Sequence, residues 1–99
     1  MDSYGGAINR IGRHASAFVH RDDLYAMQYL TYGGGSSWLA STHAQMRPFV
    51  SGFAYQNYID ADLRTWRHDY YGSNYPRLVH VQRRVDPHHH FRFPQAIGR

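Results

Sequence analysis

The stretch "HDYYGSNYPRLVHVQRRVDP", residues 68–87, decides how this chain is read, because it holds the end of one helix and both ends of the next. Gly72 is the residue type that closes a helix, since it alone accepts the backbone turn there without a side-chain penalty. Asn74 is a capping type, and Pro76 is tolerated in a first turn, where its missing N–H would have had no partner. Tyr75, Leu78, Val81 and Val85 then recur at three- and four-residue steps, the period of one helical face. Asp86-Pro87 ends that helix, because the residue before proline is driven out of helical geometry.

Working upstream, Asp60 or Asp62 can cap a short helix with Leu63, Trp66 and Tyr70 on one side. Earlier still, Ser36 or Ser37 can cap a longer helix whose stripe is Trp38, Leu39, Thr42, Met46, Phe49 and Val50, with Pro48 stopping it. The first third has a different texture. "GGAINRIG" (5–12), "ASAFVHRDD" (15–23) and "LYAMQYLTYGGG" (24–35) read as extended segments punctuated by glycine. The last is the clearest strand, alternating Leu24, Ala26, Gln28 and Leu30 against Tyr25, Met27 and Tyr29. The expectation is one α+β domain over 1–99. A small antiparallel sheet of two to three strands (1–34) precedes about three helices (35–99).

Composition narrows the function. With 99 residues and nine tyrosines among its apolar positions, the chain has a thin core, so dimerisation or docking on a partner is expected to complete it. All eleven basic residues are arginine and all seven acids aspartate. The net charge of +4 is spread from Arg10 to Arg99, which suits a solvated surface better than a nucleic-acid track. No cysteine is present, so thiolate metal sites and cysteine nucleophiles are excluded. No apolar run is long enough to span a membrane and no leader pattern opens the chain, so a soluble, cytoplasmic protein is expected. Gly33–Gly35 lacks the following Lys-Ser/Thr of a phosphate loop.

The carboxyl-terminal third resembles the berberine bridge enzyme-like flavin oxidases. The matching features are Tyr71-Gly72, Asn74, Arg77-Leu78, Asp86-Pro87, Phe91, and Gln95 with Ile97. "YQNY" is similar to that family's Tyr-x-Asn-Tyr element at Tyr55, Asn57 and Tyr58. "DSYGGAINRIGRHASAFVHR" is similar to the preceding strand and loop, with Val19 where proline is usual. Gln82 replaces a common lysine, and His88–His90 fill a turn that usually carries asparagine. The resemblance covers nearly the whole chain. It also implies that the chain starts, at Met1, inside the substrate-binding portion and lacks the large FAD-binding domain of complete members.

The resemblance implies roles for particular residues. Tyr55 or Tyr58 would act as a general base, with Asn57 contacting the flavin ring. A phenol titrates near 10, so it needs a cationic or hydrogen-bonding neighbour, for which Arg64, Arg67 and His68 are candidates. The alternative is that these tyrosines simply pack, hydroxyls outward. His20 and Arg21 lie where the family lines its substrate cavity; the plainer reading is a surface pair answering Asp22-Asp23. Tyr25, Tyr29 and Tyr32, with Trp38, could wall an aromatic substrate cavity, although tyrosine favours strands in any case. His88, His89 and His90 cannot all face one ion, and a solvated run is expected rather than a metal site.

Three functions follow as expectations. The first is a stand-alone domain acting on a small molecule of secondary metabolism by flavin-independent acid–base chemistry, such as cyclisation, dehydration or isomerisation, using Tyr55, Tyr58 and His68. In that case no cofactor is bound by the chain alone. The second is a split subunit or tail of an FAD-dependent oxidoreductase, with FAD present through a partner. The third is a non-catalytic ligand-binding protein.

Overall fold

A computed structural model describes residues 1–99. Strand β1 (Asp2–Ser3) pairs antiparallel with β2 (Tyr25–Ala26), in the register Asp2 to Ala26 and Ser3 to Tyr25. Helix α1 spans Ser36–Met46, α2 Trp66–Tyr71 and α3 Tyr75–Val85. Single 3-10 turns stand at Ile8–Arg10, Arg47–Phe49 and Gly72–Asn74. The α+β class and the order of strands before helices are as expected.

The sheet is smaller than the alternation promised. Residues 5–12 form a turn and one 3-10 turn, and 15–23 contain no strand. Of 24–35 only Tyr25–Ala26 pair, because β1 is the sole neighbour and is two residues long. One further bond, Tyr4 N–H to the Leu24 carbonyl at 2.8 Å, ends the ladder. Alternation marks a segment able to be a strand; pairing needs a second strand, which this chain does not supply beyond Tyr4.

The helices follow their local signals more closely. Pro48 falls in the 3-10 turn that ends α1. Gly72 closes α2 at φ +49° and ψ −132°, and Asp86 follows the last residue of α3. Helix α2 begins at Trp66 rather than near Asp60. The Asp60 carboxylate instead accepts the Asp62 N–H at 2.9 Å, a local turn that competes with helix formation. Asn74 occupies the position before α3, but its side chain makes no cap bond to the helix.

The core is small and polar. Val19, Trp66, Tyr70 and Ala96 are its buried apolar members, interleaved with buried His20, Asp69, Asn74, Asp86 and Gln95. Neither α1 nor α3 contains a buried residue. The accessible surface is 7411 Å², whereas a folded monomer of this mass exposes about 5,800 Å². The radius of gyration is 15.0 Å against about 12.6 Å for a compact domain of this length. Large apolar side chains are among the exposed residues: Tyr32 is 90% exposed, Phe49 80%, Leu30 61% and Trp38 56%. No helix is long and apolar enough to cross a membrane.

Candidate functional site

The loop between the 3-10 turn after α1 and helix α2 is held at both ends. The Ala54 N–H donates to the Asp69 carbonyl at 2.9 Å, tying its start to α2. At its far end the Asp60 N–H donates to the Tyr70 hydroxyl at 2.9 Å, and Gln95 Nε2 donates to the Asp60 carbonyl at 2.7 Å. Between these anchors the Tyr58 N–H reaches back to the Tyr55 carbonyl at 3.0 Å, folding 55–58 into a turn. Asn57 Nδ2 donates to the Tyr55 hydroxyl oxygen at 2.8 Å. The Tyr55 hydroxyl therefore has an acceptor position filled and its hydrogen left to donate elsewhere.

Around this turn the aromatic rings form a continuous file. Tyr58 meets Tyr55 edge to face at 5.3 Å, and Tyr55 meets Tyr4 at 6.2 Å and Phe18 at 5.9 Å. Phe18 touches His20 at 5.1 Å, His20 touches Phe53 at 5.6 Å, and Phe53 stacks on His68 at 5.5 Å. Edge-to-face contacts of this kind suit the ring quadrupoles and hold each ring in place. Tyr55, Tyr58, His20 and His68 thus belong to one cluster, but His68 sits at its opposite end from the phenols. Its Nδ1 lies 3.0 Å from the Asp69 carboxylate, and Phe18, His20 and Phe53 intervene between it and Tyr55.

The other sequence candidates separate. His20 is buried, with Nδ1 3.7 Å from Asp23, and is not part of a surface pair. Burial pushes its pKa below the ordinary imidazole value, outweighing the Asp23 carboxylate. Arg21 answers neither acid. It donates to the carbonyls of Phe18 (3.2 Å) and Ile8 (3.1 Å) and to Ser16 Oγ (2.8 Å), with its guanidinium over the Phe18 ring. Asp22 pairs with Arg13 instead. Arg67 lies over Trp66 and bonds the Tyr75 hydroxyl at 3.2 Å, away from Tyr55. Tyr29 packs edge-on against His43, while Tyr25, Tyr32 and Trp38 are exposed and stack on no other ring. In the histidine turn the Asp86 carboxylate accepts the N–H groups of His90 (2.7 Å) and Phe91 (3.2 Å), and the His90 bond first, then the Phe91 bond, lower its pKa.

Tyr4 was not singled out from sequence, yet it completes the phenol cluster. Nothing local marks it; only the β1–β2 register carries it there. Its pKa is raised, first by burial and then by Tyr55, so near neutral pH it remains a neutral hydrogen-bond donor. Its hydroxyl and the Gln56 Oε1 are buried without partners. Buried polar atoms are ordinarily partnered, so these two stand out beside the turn bearing Asn57.

Comparison with known proteins agrees. Residues 54–98 match the family model described as berberine and berberine like. A berberine bridge enzyme-like protein of Nicotiana tabacum is 31% identical over 98% of this chain and 24% of its own length. An uncharacterized FAD-linked oxidoreductase of Bacillus subtilis is 33% identical over 98% of this chain and 23% of its own. Reticuline oxidase of Eschscholzia californica is 28% identical over 98% of this chain and 24% of its own. The chain therefore spans about a quarter of the length of these curated relatives. No solved structure matches it. The chain thus carries a berberine-like family match over residues 54–98 and is similar along nearly its whole length to berberine bridge enzyme-like proteins and FAD-linked oxidoreductases.

Proposed function

We propose that the chain is a working part of an FAD-linked oxidoreductase acting on a small molecule of natural-product type. In this reading it presents the Tyr55–Asn57–Tyr58 turn to a flavin held by another body, either a separate subunit or the remainder of a longer polypeptide. The observation that carries the proposal is the uncovered apolar surface. About 1,600 Å² more is exposed than a free-standing domain of this size leaves in water, roughly twice the ~800 Å² that one partner contributes to a standard protein interface.

The residues have separable tasks in this reading. Tyr4 and Gln56 offer the unpartnered donor and acceptor, and Asn57 fixes the Tyr55 hydroxyl so that its hydrogen points to an outside acceptor. Tyr58, half exposed at the end of the file, is the phenol open to a substrate. When bound, a flavin would supply the redox chemistry; the chain's phenols would position and exchange protons at its edge. Stand-alone acid–base chemistry is less well supported. It needs a site closed to water, whereas Tyr58 is 53% exposed.

The test is substitution within the assembled oxidoreductase. Asn57→Ala and Tyr4→Phe should each shift the visible flavin spectrum and lower turnover by about tenfold or more, as expected when a hydrogen bond near the reacting group is lost. An unchanged spectrum and unchanged turnover in both would overturn the assignment.

A further inference from the structure

A second cavity, lined by none of the phenols, lies where the 14–17 segment crosses helix α3. A groove of about 170 Å³ lies between them. Its floor is hydrocarbon, from Ala15, Ala17, Leu78 and Val81. Its polar edge is His14, Ser16 and Arg77, and none of its lining residues is acidic.

The state of each polar group is fixed by its other contacts. Asn74, itself buried, donates from Nδ2 to the carbonyls of Arg13 (2.8 Å) and Ser16 (3.1 Å), so its Oδ1 must be the atom 2.7 Å from His14 Nδ1. An amide oxygen only accepts, hence His14 carries its hydrogen on Nδ1 and keeps Nε2 free. Ser16 Oγ accepts from Arg21 at 2.8 Å, leaving its own hydroxyl hydrogen to donate. Arg77 spends one N–H on the His14 carbonyl at 3.0 Å and pairs with no carboxylate. The groove thus combines an unneutralised guanidinium and a spare hydroxyl donor with an apolar floor.

We propose that this groove binds a small aliphatic carboxylate, its anionic head on Arg77 and Ser16 and its hydrocarbon tail against Leu78 and Val81. A guanidinium presents paired donors that match a carboxylate, and the apolar floor favours an anion with a tail over a bare inorganic one. The inference does not depend on the flavin reading, since none of the phenol cluster lines this groove.

The experiment is a titration of the isotope-labelled full chain with 3-methylbutanoate, followed by amide NMR shifts. Two controls are 3-methylbutan-1-ol, which keeps the tail, and inorganic phosphate, which keeps a charge. The carboxylate should give saturable shifts at Ala15, Ser16 and Leu78 that neither control reproduces. Arg77→Gln should weaken binding by about tenfold or more, as loss of a charge-assisted pair does. Val81→Phe, which fills the groove at a partly exposed position, should block binding while the chain keeps its helical circular dichroism. Absence of saturable shifts would overturn the proposal, as would equal binding of phosphate or undiminished binding by Val81→Phe.

Discussion

Asn74 and His14 meet at 2.7 Å although sixty residues of chain separate them. With its two bonds to the Arg13 and Ser16 carbonyls, this one amide joins the amino-terminal segment to the foot of α3. It makes three hydrogen bonds from a buried position and none to the helix it precedes.

Replacing it tests that role. Asn74→Ala leaves an imidazole and two carbonyls without their partner, and should destabilise the fold by about 2 kcal/mol. Urea denaturation measures the change. A loss confined to the few tenths of a kcal/mol expected of a surface site would show that the joint is not held here.

Gly72 is required for two reasons. Its φ of +49° with ψ of −132° is open to glycine and strained for other residues. A Cβ there would also lie 3.2 Å from Val19 Cγ2 and 3.4 Å from the Phe53 ring. Gly72→Ala should therefore cost about 2 to 3 kcal/mol. Thermal unfolding at unchanged midpoint would contradict this.

His20 sets a pH dependence whose sign is determined. Its folded-state pKa lies below the ordinary value of 6.5, because burial disfavours the charged ring. The unfolded chain thus binds a proton more readily than the folded one. The stability His20 contributes is fully present above pH 6.5 and is lost as pH falls through the lowered folded value. Asp86, also depressed, loses its contribution only in the more acidic range below 3.8. Denaturation midpoints should decline from pH 6.5 downward, and His20→Phe should flatten the first part of that decline. A decline equally steep in the variant would assign it to another group.

How much of this was legible in sequence depends on the range of the interaction. Gly72, Pro76 and the Asp86-Pro87 stop act within a turn, and they place the end of α2, the whole of α3 and their junction where the sequence puts them. The element at Tyr55, Asn57 and Tyr58 was legible only through the resemblance; the turn it forms, closed by bonds between neighbours, was not expected. What failed was non-local. The alternation over 24–35 could not reveal that a two-residue strand was its sole neighbour, and Tyr4 joined the phenols only through that pairing. Asn74 was read as a cap because its position suits one, while its partners lie far upstream. The α3 stripe leaves Tyr75 and Leu78 half-buried and Val81 and Val85 exposed, while on α1 only Leu39, Thr42 and Met46 are half-buried and no continuous apolar face forms. A stripe says that a face is to be covered and not by what.

The covering body is the central claim, and copurification tests it most directly. The chain is isolated from its native source on a size-exclusion column, with flavin absorbance and molar mass recorded across its peak. The account predicts that flavin absorbance coelutes with the chain at a mass well above its own. Trp38→Asp with Phe49→Asp, both on the exposed face, should then release the chain from that complex without loss of its helices. A colourless peak holding this chain alone, as a monomer or as a dimer of itself, would contradict the account.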